Sequence, residues 1–130
     1  MNGRYLLDTN IIIALFAGEI AVKNNLGEAE QVFIPAIAVG ELCYGARKSG
    51  RSKENLERIE EFIANNTVLE CNTETSRRYG EIKNHLRLKG RPLPENDIWI
   101  AALSMQYNLT LVTRDAHFQE VENLHAVAWA

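Results

Sequence analysis

Only three of the seventeen acidic residues are aspartates: Asp8, Asp97 and Asp115. Each falls where an apolar run meets the start of a helix. Aspartate holds its carboxylate close to the backbone, so at a chain junction it makes a short, stiff oxygen ligand, whereas glutamate suits a solvated helix face. Glu41 departs from that habit. Its helical neighbours Ile37, Ala38 and Tyr44 are largely apolar, and a charge in such a setting needs a partner. Carboxylates from separate stretches suit a hard cation such as Mg²⁺, which also keeps waters and leaves room for a phosphate. On such an ion a water becomes a nucleophile and a leaving oxygen is stabilised, which is the chemistry of phosphodiester hydrolysis.

Each acid has a plainer explanation. Asp8 can cap the helix that begins near Ile11, Asp97 can open the helix after Asn96, and Asp115 can cap a short turn before Phe118. For Glu41 the plain alternative is a structural salt bridge. Asn10 and Thr113 lie beside Asp8 and Asp115 and can orient a water or a carboxylate, or serve only as a cap and a strand residue. His85, His117 and His125 lack paired metal spacing and read as ordinary surface or core residues.

The elements decide whether these acids meet. Arg4 to Leu7 reads as a strand, with helices after it over Ile11 to Phe16 and Ile20 to Asn25. Val32 to Ile34 is β-prone and stops at Pro35; Ile37 to Lys48 is a helix ended by Ser49-Gly50. Glu54 to Asn65 is amphipathic, with Leu56, Ile59, Phe62 and Ile63 on one stripe. Val68-Leu69 is a weak strand and Glu74 to Leu88 a long charged helix ending at Gly90. Ile98 to Tyr107 follows a Pro92/Pro94 loop, and Asn108 can close it in a left-handed conformation. Leu109 to Thr113 is the clearest strand, and Leu124 to Trp129 a shorter last one. Strands separated by helices imply an α/β fold with a largely parallel sheet covered on both faces.

In such a sheet Asp8 and Asp115 follow strands and sit at the carboxyl edge. The helix bearing Glu41 starts there. The helix of Asp97 ends where the Leu109 strand begins, so its own start lies at the carboxyl edge too. Open α/β sheets bind ligands at that edge. Two carboxylates about 4 Å apart repel by on the order of 4 kcal/mol at an effective dielectric near 20. No lysine lies within two positions of any of the four, and Arg114 is their one neighbouring cation, so a divalent ion is the simplest neutraliser.

The rest of the chain bounds this reading. At 130 residues it has the size of one domain, 1–130, able to bury a core. No stretch has the length of a membrane span and no signal peptide leads it, so a cytoplasmic location is expected. Cys43 and Cys71 read as buried free thiols. The net charge of −3 weighs against general nucleic-acid binding. Even so, Arg47, Lys48, Arg51 and Lys53 form one basic group, and Arg77, Arg78, Lys83, Arg87, Lys89 and Arg91 another. Both are solvated helix faces unless a phosphate-cleaving site lies beside them.

Four short patterns together resemble a known family. Leu7-Asp8-Thr9-Asn10, Gly40-Glu41-Leu42 with Tyr44-Gly45, Asn96-Asp97 with Ile100-Ala101-Ala102, and Leu111-Val112-Thr113 with Asp115 and Phe118 are similar, in order, to the motifs of PIN-domain ribonucleases. Among these, the VapC-type toxins of type II toxin–antitoxin modules match best. The resemblance implies a PIN-like α/β/α sandwich with a central, largely parallel sheet of four to five strands. It implies Asp8, Glu41, Asp97 and Asp115 as metal-binding catalytic acids, with Asn10 and Thr113 in support. It further implies Mg²⁺ or Mn²⁺ dependence, an RNA substrate, a homodimer and a cognate antitoxin. Arg77, Arg78, Lys83 and Arg87 would hold flanking phosphates. Some relatives carry a hydroxyl residue shortly before the glutamate, where this chain has Ala36 and Ala38.

The rival readings have their own requirements. A phosphate-accepting receiver module needs paired acids after the first strand and a lysine near the last strands, and Leu109 to Ala130 contains no lysine. A phosphatase with an aspartyl nucleophile has a second aspartate two positions on, where Asn10 stands. A non-catalytic acidic module would use its acids only as caps.

Overall fold

The computed structural model describes residues 3–129. Strand β1 (Arg4–Leu7) leads into α1 (Thr9–Phe16) and α2 (Ile20–Glu28). Strand β2 (Gln31–Pro35) leads into α3 (Ala36–Arg47) and α4 (Ser52–Ala64), and β3 (Thr67–Leu69) into α5 (Thr73–Lys89) and α6 (Glu95–Gln106). Strand β4 (Thr110–Val112), a 3-10 turn (Ala116–Glu120) and β5 (Ala126–Val127) complete the order. The five strands form one sheet in the order β3-β2-β1-β4-β5, and every pair is parallel.

Successive residues of a strand face opposite sides, so the central strands feed two cores. Leu6 and Leu111 point into the layer built by α5 and α6 with Phe118. Leu7, Ile34 and Val112 point into the layer built by α1 to α4. All five are fully buried. A sheet apolar on both faces needs helices on both, and the result is an α/β/α sandwich.

The chain passes from β1 to β2 and β3 on one side and returns to β4 on the other. The carboxyl ends of β1 and β4 therefore flank the point where the winding reverses. The Asp8 N–H donates to the Val112 carbonyl at 2.9 Å, which ties the end of β1 to that of β4.

Some local expectations shift. Helix α2 runs on to Glu28 through Gly27, where Asn25 is the expected end. Strand β5 is two residues long, although the apolar Leu124 to Trp129 stretch suggests six. Trp129 leaves the strand and packs edge-on against Tyr5, with ring centroids 5.1 Å apart. Cys71 is exposed and Cys43 half-buried, so neither is the buried thiol expected of it.

Candidate active site

Asp8 stands between β1 and α1 and is almost wholly buried. Its carboxylate accepts hydrogen bonds from the Thr9 N–H at 2.8 Å, the Thr113 hydroxyl at 2.7 Å and the Asn10 amide at 3.3 Å. Helix capping thus accounts for one of the three donors. The Thr113 hydroxyl also accepts from the Asp115 N–H at 3.1 Å, and Asn10 Oδ1 from the Arg114 N–H at 3.4 Å. Asn10 and Thr113 therefore lock the turn after β4 onto the end of β1.

Capping does not account for the other aspartates. Pro94 occupies the N-cap of α6, so Asp97 lies inside the first turn. Asp115 precedes the 3-10 turn but its side chain caps no N–H. Glu41 also differs from expectation: it is exposed, and so is Tyr44 one turn on, so its face of α3 is wet. Glu41 is held by the Thr9 hydroxyl, which donates to its Oε1 at 2.6 Å. A hydroxyl from α1 thus supplies the support that Ala36 and Ala38 cannot.

The electrostatics couple all four acids. Burial raises the Asp8 carboxyl above the ordinary aspartate value, and the charges of Asp97 and Asp115 add to the rise, against the Thr113 and Thr9 hydrogen bonds. Burial likewise raises Asp97, opposed by His117 and reinforced by Asp115 and Glu41. Arg114 gives no relief, because its guanidinium forks onto Glu19 at 2.6 and 3.2 Å. That pairing lowers the Glu19 carboxyl.

His117 is the group that spacing did not single out. Its Nε2 lies 2.7 Å from Asp97 Oδ2 and 3.9 Å from Asp115 Oδ2. Among the described residues, no lysine or arginine pairs with any of the four acids.

The donor set fits a divalent cation. Asp97 Oδ1, Glu41 Oε2 and both Asp115 oxygens accept no hydrogen bond from the described residues. Asp97, Asp115 and His117 each offer a ligand atom, and these lie within 4.8 Å of one another. Free carboxylate oxygens at one edge, with no lysine or arginine among the described residues to offset their charge, match the preference of a hard cation.

Comparison with known proteins follows the same line. The PIN domain family matches residues 5–124. The chain belongs to the PIN-domain family. Ribonuclease VapC2 of Haemophilus influenzae is 35% identical, over 97% of this chain and 98% of the relative. The tRNA(fMet)-specific endonuclease VapC of Shigella flexneri is 30% identical, over 98% of both chains. The crystal structure of VapBC2 from Rickettsia felis, bound to a promoter DNA fragment, superposes with a TM-score of 0.91 at 29% identity, covering 98% of this chain and 99% of that one. Within the family the chain is therefore of the VapC type.

The basic residues of this PIN domain separate into two sets. Helices α5 and α6 pack antiparallel: Thr75 bonds Gln106, Tyr79 stacks on Trp99 at 4.1 Å, and Lys83 pairs with Glu95. Lys83 and Arg87 therefore lie toward the start of α6 and the acids. Arg77 and Arg78 lie about 8–9 Å of helix axis behind Lys83 and about 14–15 Å behind Arg87, and both pair with Glu74. The structure does not bring them to the cluster.

Proposed function

We propose that this PIN domain is a divalent-cation-dependent endoribonuclease, the toxin of a VapBC-type pair, whose catalytic acids are Asp8, Glu41, Asp97 and Asp115. One observation carries the reading. Four carboxylates from four separate segments share one sheet edge, and no lysine or arginine among the described residues pairs with them. Full-length similarity to proteins named ribonuclease VapC supports RNA as the substrate. A structured RNA of the transfer class follows from the relative in Shigella flexneri.

Mg²⁺, or Mn²⁺, held by the four acids would supply an acidified water and neutralise the leaving oxygen. The chain's own residues do the rest. Asp8 is fixed by three donors and so keeps one orientation. Thr9 anchors Glu41 beside the end of β1, where its charge acts on Asp97, and Thr113 sets the backbone that carries Asp115. His117 Nε2 stands against Asp97 Oδ2 and can hold a proton there. Lys83 and Arg87, toward the end of α5 nearer the acids, meet the flanking phosphates; Arg77 and Arg78, further back along the helix, contribute less.

The partner is a cognate antitoxin, in keeping with the VapBC complexes that share this fold. Homodimerisation and a cytoplasmic location belong to the same reading, and no helix of the described residues is long and apolar enough to cross a membrane. Incubation of the purified chain with transfer RNA tests it. Cleavage with Mg²⁺, none with EDTA and none by Asp8→Asn is the expected pattern. Cleavage that persists in EDTA would assign the activity to a contaminant or to another chemistry.

A further inference from the structure

Helix α3 carries a feature that the acid cluster does not require. Tyr44 is 67% exposed, while every other Tyr, Trp and Phe of the described residues is half-buried or buried. An aromatic ring left in water is an unused apolar face. It stands one turn beyond Glu41, and Lys48 Nζ lies 4.9 Å from its ring centroid. Tyr44 and Lys48 line an open cleft of about 600 Å³ with Gly40, Gly45, Glu41 and Asn96, the last beside Asp97. The cleft therefore includes one of the four acids, Glu41, and reaches the residue before a second, Asp97.

The glycines are a second, independent observation. Gly40 and Gly45 both lie inside α3, where glycine weakens a helix relative to alanine. A Cβ built on either meets nothing within 4 Å, so packing within the chain gives no reason for them. What a side chain there would do is narrow the cleft beside the Tyr44 ring. Open space next to an exposed aromatic and a cation is the arrangement that single-stranded nucleic acids use, with a base on the ring and a phosphate at the ammonium.

We propose that Tyr44 is a stacking platform for an RNA base flanking the scissile phosphate, with Lys48 holding the adjacent phosphate and Gly40 and Gly45 leaving room for the strand. The inference rests on the ribonuclease reading and adds a substrate subsite to it. The continuity of the cleft with Glu41 and Asn96, and the positive charge at its outer end, favour RNA over a second protein surface.

Fluorescence anisotropy of a short labelled single-stranded oligoribonucleotide in EDTA measures binding apart from cleavage. Tyr44→Ala is expected to weaken binding about tenfold, within the range known for loss of one stacked base. Tyr44→Phe and Tyr44→Trp are expected to keep wild-type affinity, since both retain the ring. Lys48→Ala is expected to flatten the dependence of log affinity on log salt by about one unit. Gly40→Leu is expected to raise Tm while weakening binding, a pairing that misfolding cannot produce. Equal affinity of wild type and Tyr44→Ala would overturn the proposal and leave the ribonuclease reading intact. So would conversion of a dimer to a monomer by Tyr44→Ala in sedimentation velocity, which would assign the face to a second copy of the chain. A wild-type chain that neither binds nor cleaves RNA would remove both readings together.

Discussion

Replacing Asp8 by asparagine separates a metal ligand from a helix cap. The Asp8 carboxylate is nearly buried, and both its burial and the charges of Asp97 and Asp115 raise its pKa. An acid whose folded pKa is raised destabilises the charged fold: stability is highest below its unfolded value and falls as pH rises through its folded one. Each unit of such a rise corresponds to about 1.4 kcal/mol. Asparagine is neutral and its Oδ1 keeps an acceptor for the Thr9 N–H, but its Nδ2 is a donor, so the Asn10 amide loses its acceptor and the Thr113 hydroxyl has to turn to accept instead. Relief from burial and from the charges of Asp97 and Asp115 favours Asp8→Asn at neutral pH without metal, against that lost bond. Each 1 kcal/mol of difference moves Tm by about 4 °C for a chain of this size. The advantage should shrink toward pH 3.8, the ordinary aspartate value, where the wild-type carboxyl is itself protonated. Mg²⁺ at 100 times its dissociation constant adds about 2.7 kcal/mol to the wild type alone, so the order of the two melting curves inverts. Thermal melts followed by circular dichroism, in EDTA and in MgCl₂ across pH, read all of this. A variant that melts several degrees lower in EDTA, yet gains as much from Mg²⁺ as the wild type, would refute the reasoning and leave Asp8 as a cap.

Thr113→Val removes the 2.7 Å bond to Asp8 and the acceptor of the Asp115 N–H. RNA cleavage should fall at least about tenfold, with Thr113→Ser recovering most of it; equal rates for all three chains would make Thr113 a mere strand residue. Thr9→Val frees Glu41 and should weaken Mn²⁺ binding measured calorimetrically, with rescue by Thr9→Ser; undiminished binding by the valine variant would show that Glu41 needs no such anchor. Lys83→Ala and Arg87→Ala should each lower the salt dependence of RNA binding by about one unit, whereas Arg77→Ala and Arg78→Ala should change it little; the reverse ranking would put the RNA path at the other end of α5.

Much of this arrangement is legible in residue order. The alternation of strands and helix pairs dictates a parallel sheet, and a parallel sheet dictates that residues following β1 and β4 share an edge. Asp97 joins them because α6 must end where β4 begins. What one sequence hides is contact between segments. The hydroxyl that holds Glu41 comes from Thr9, 32 residues earlier, so the apolar neighbours of Glu41 give the wrong reason for its importance. His117 meets Asp97 across 20 residues, through the placement of α6 against the 3-10 turn, and no spacing rule reports that. The direction of α5 is legible in the sequence as well. Lys89 ends one helix and Glu95 begins the next, so the C-terminal end of α5 must lie by the acids, favouring Lys83 and Arg87 over Arg77 and Arg78. The short β5 is bounded by features that the apolar run hides: Asn123 adopts a positive φ of 67° three residues before it, and Trp129 beyond it turns to pack on Tyr5.

Calorimetric titration of Mn²⁺ into the metal-free chain, repeated with Asp8→Asn, Glu41→Gln, Asp97→Asn and Asp115→Asn, tests the shared cation site most directly. Saturable binding by the wild type, weakened at least about tenfold by each substitution while all five chains stay folded, is the predicted result. A wild-type chain that takes up no ion, or variants from different segments that bind as the wild type does, would contradict it.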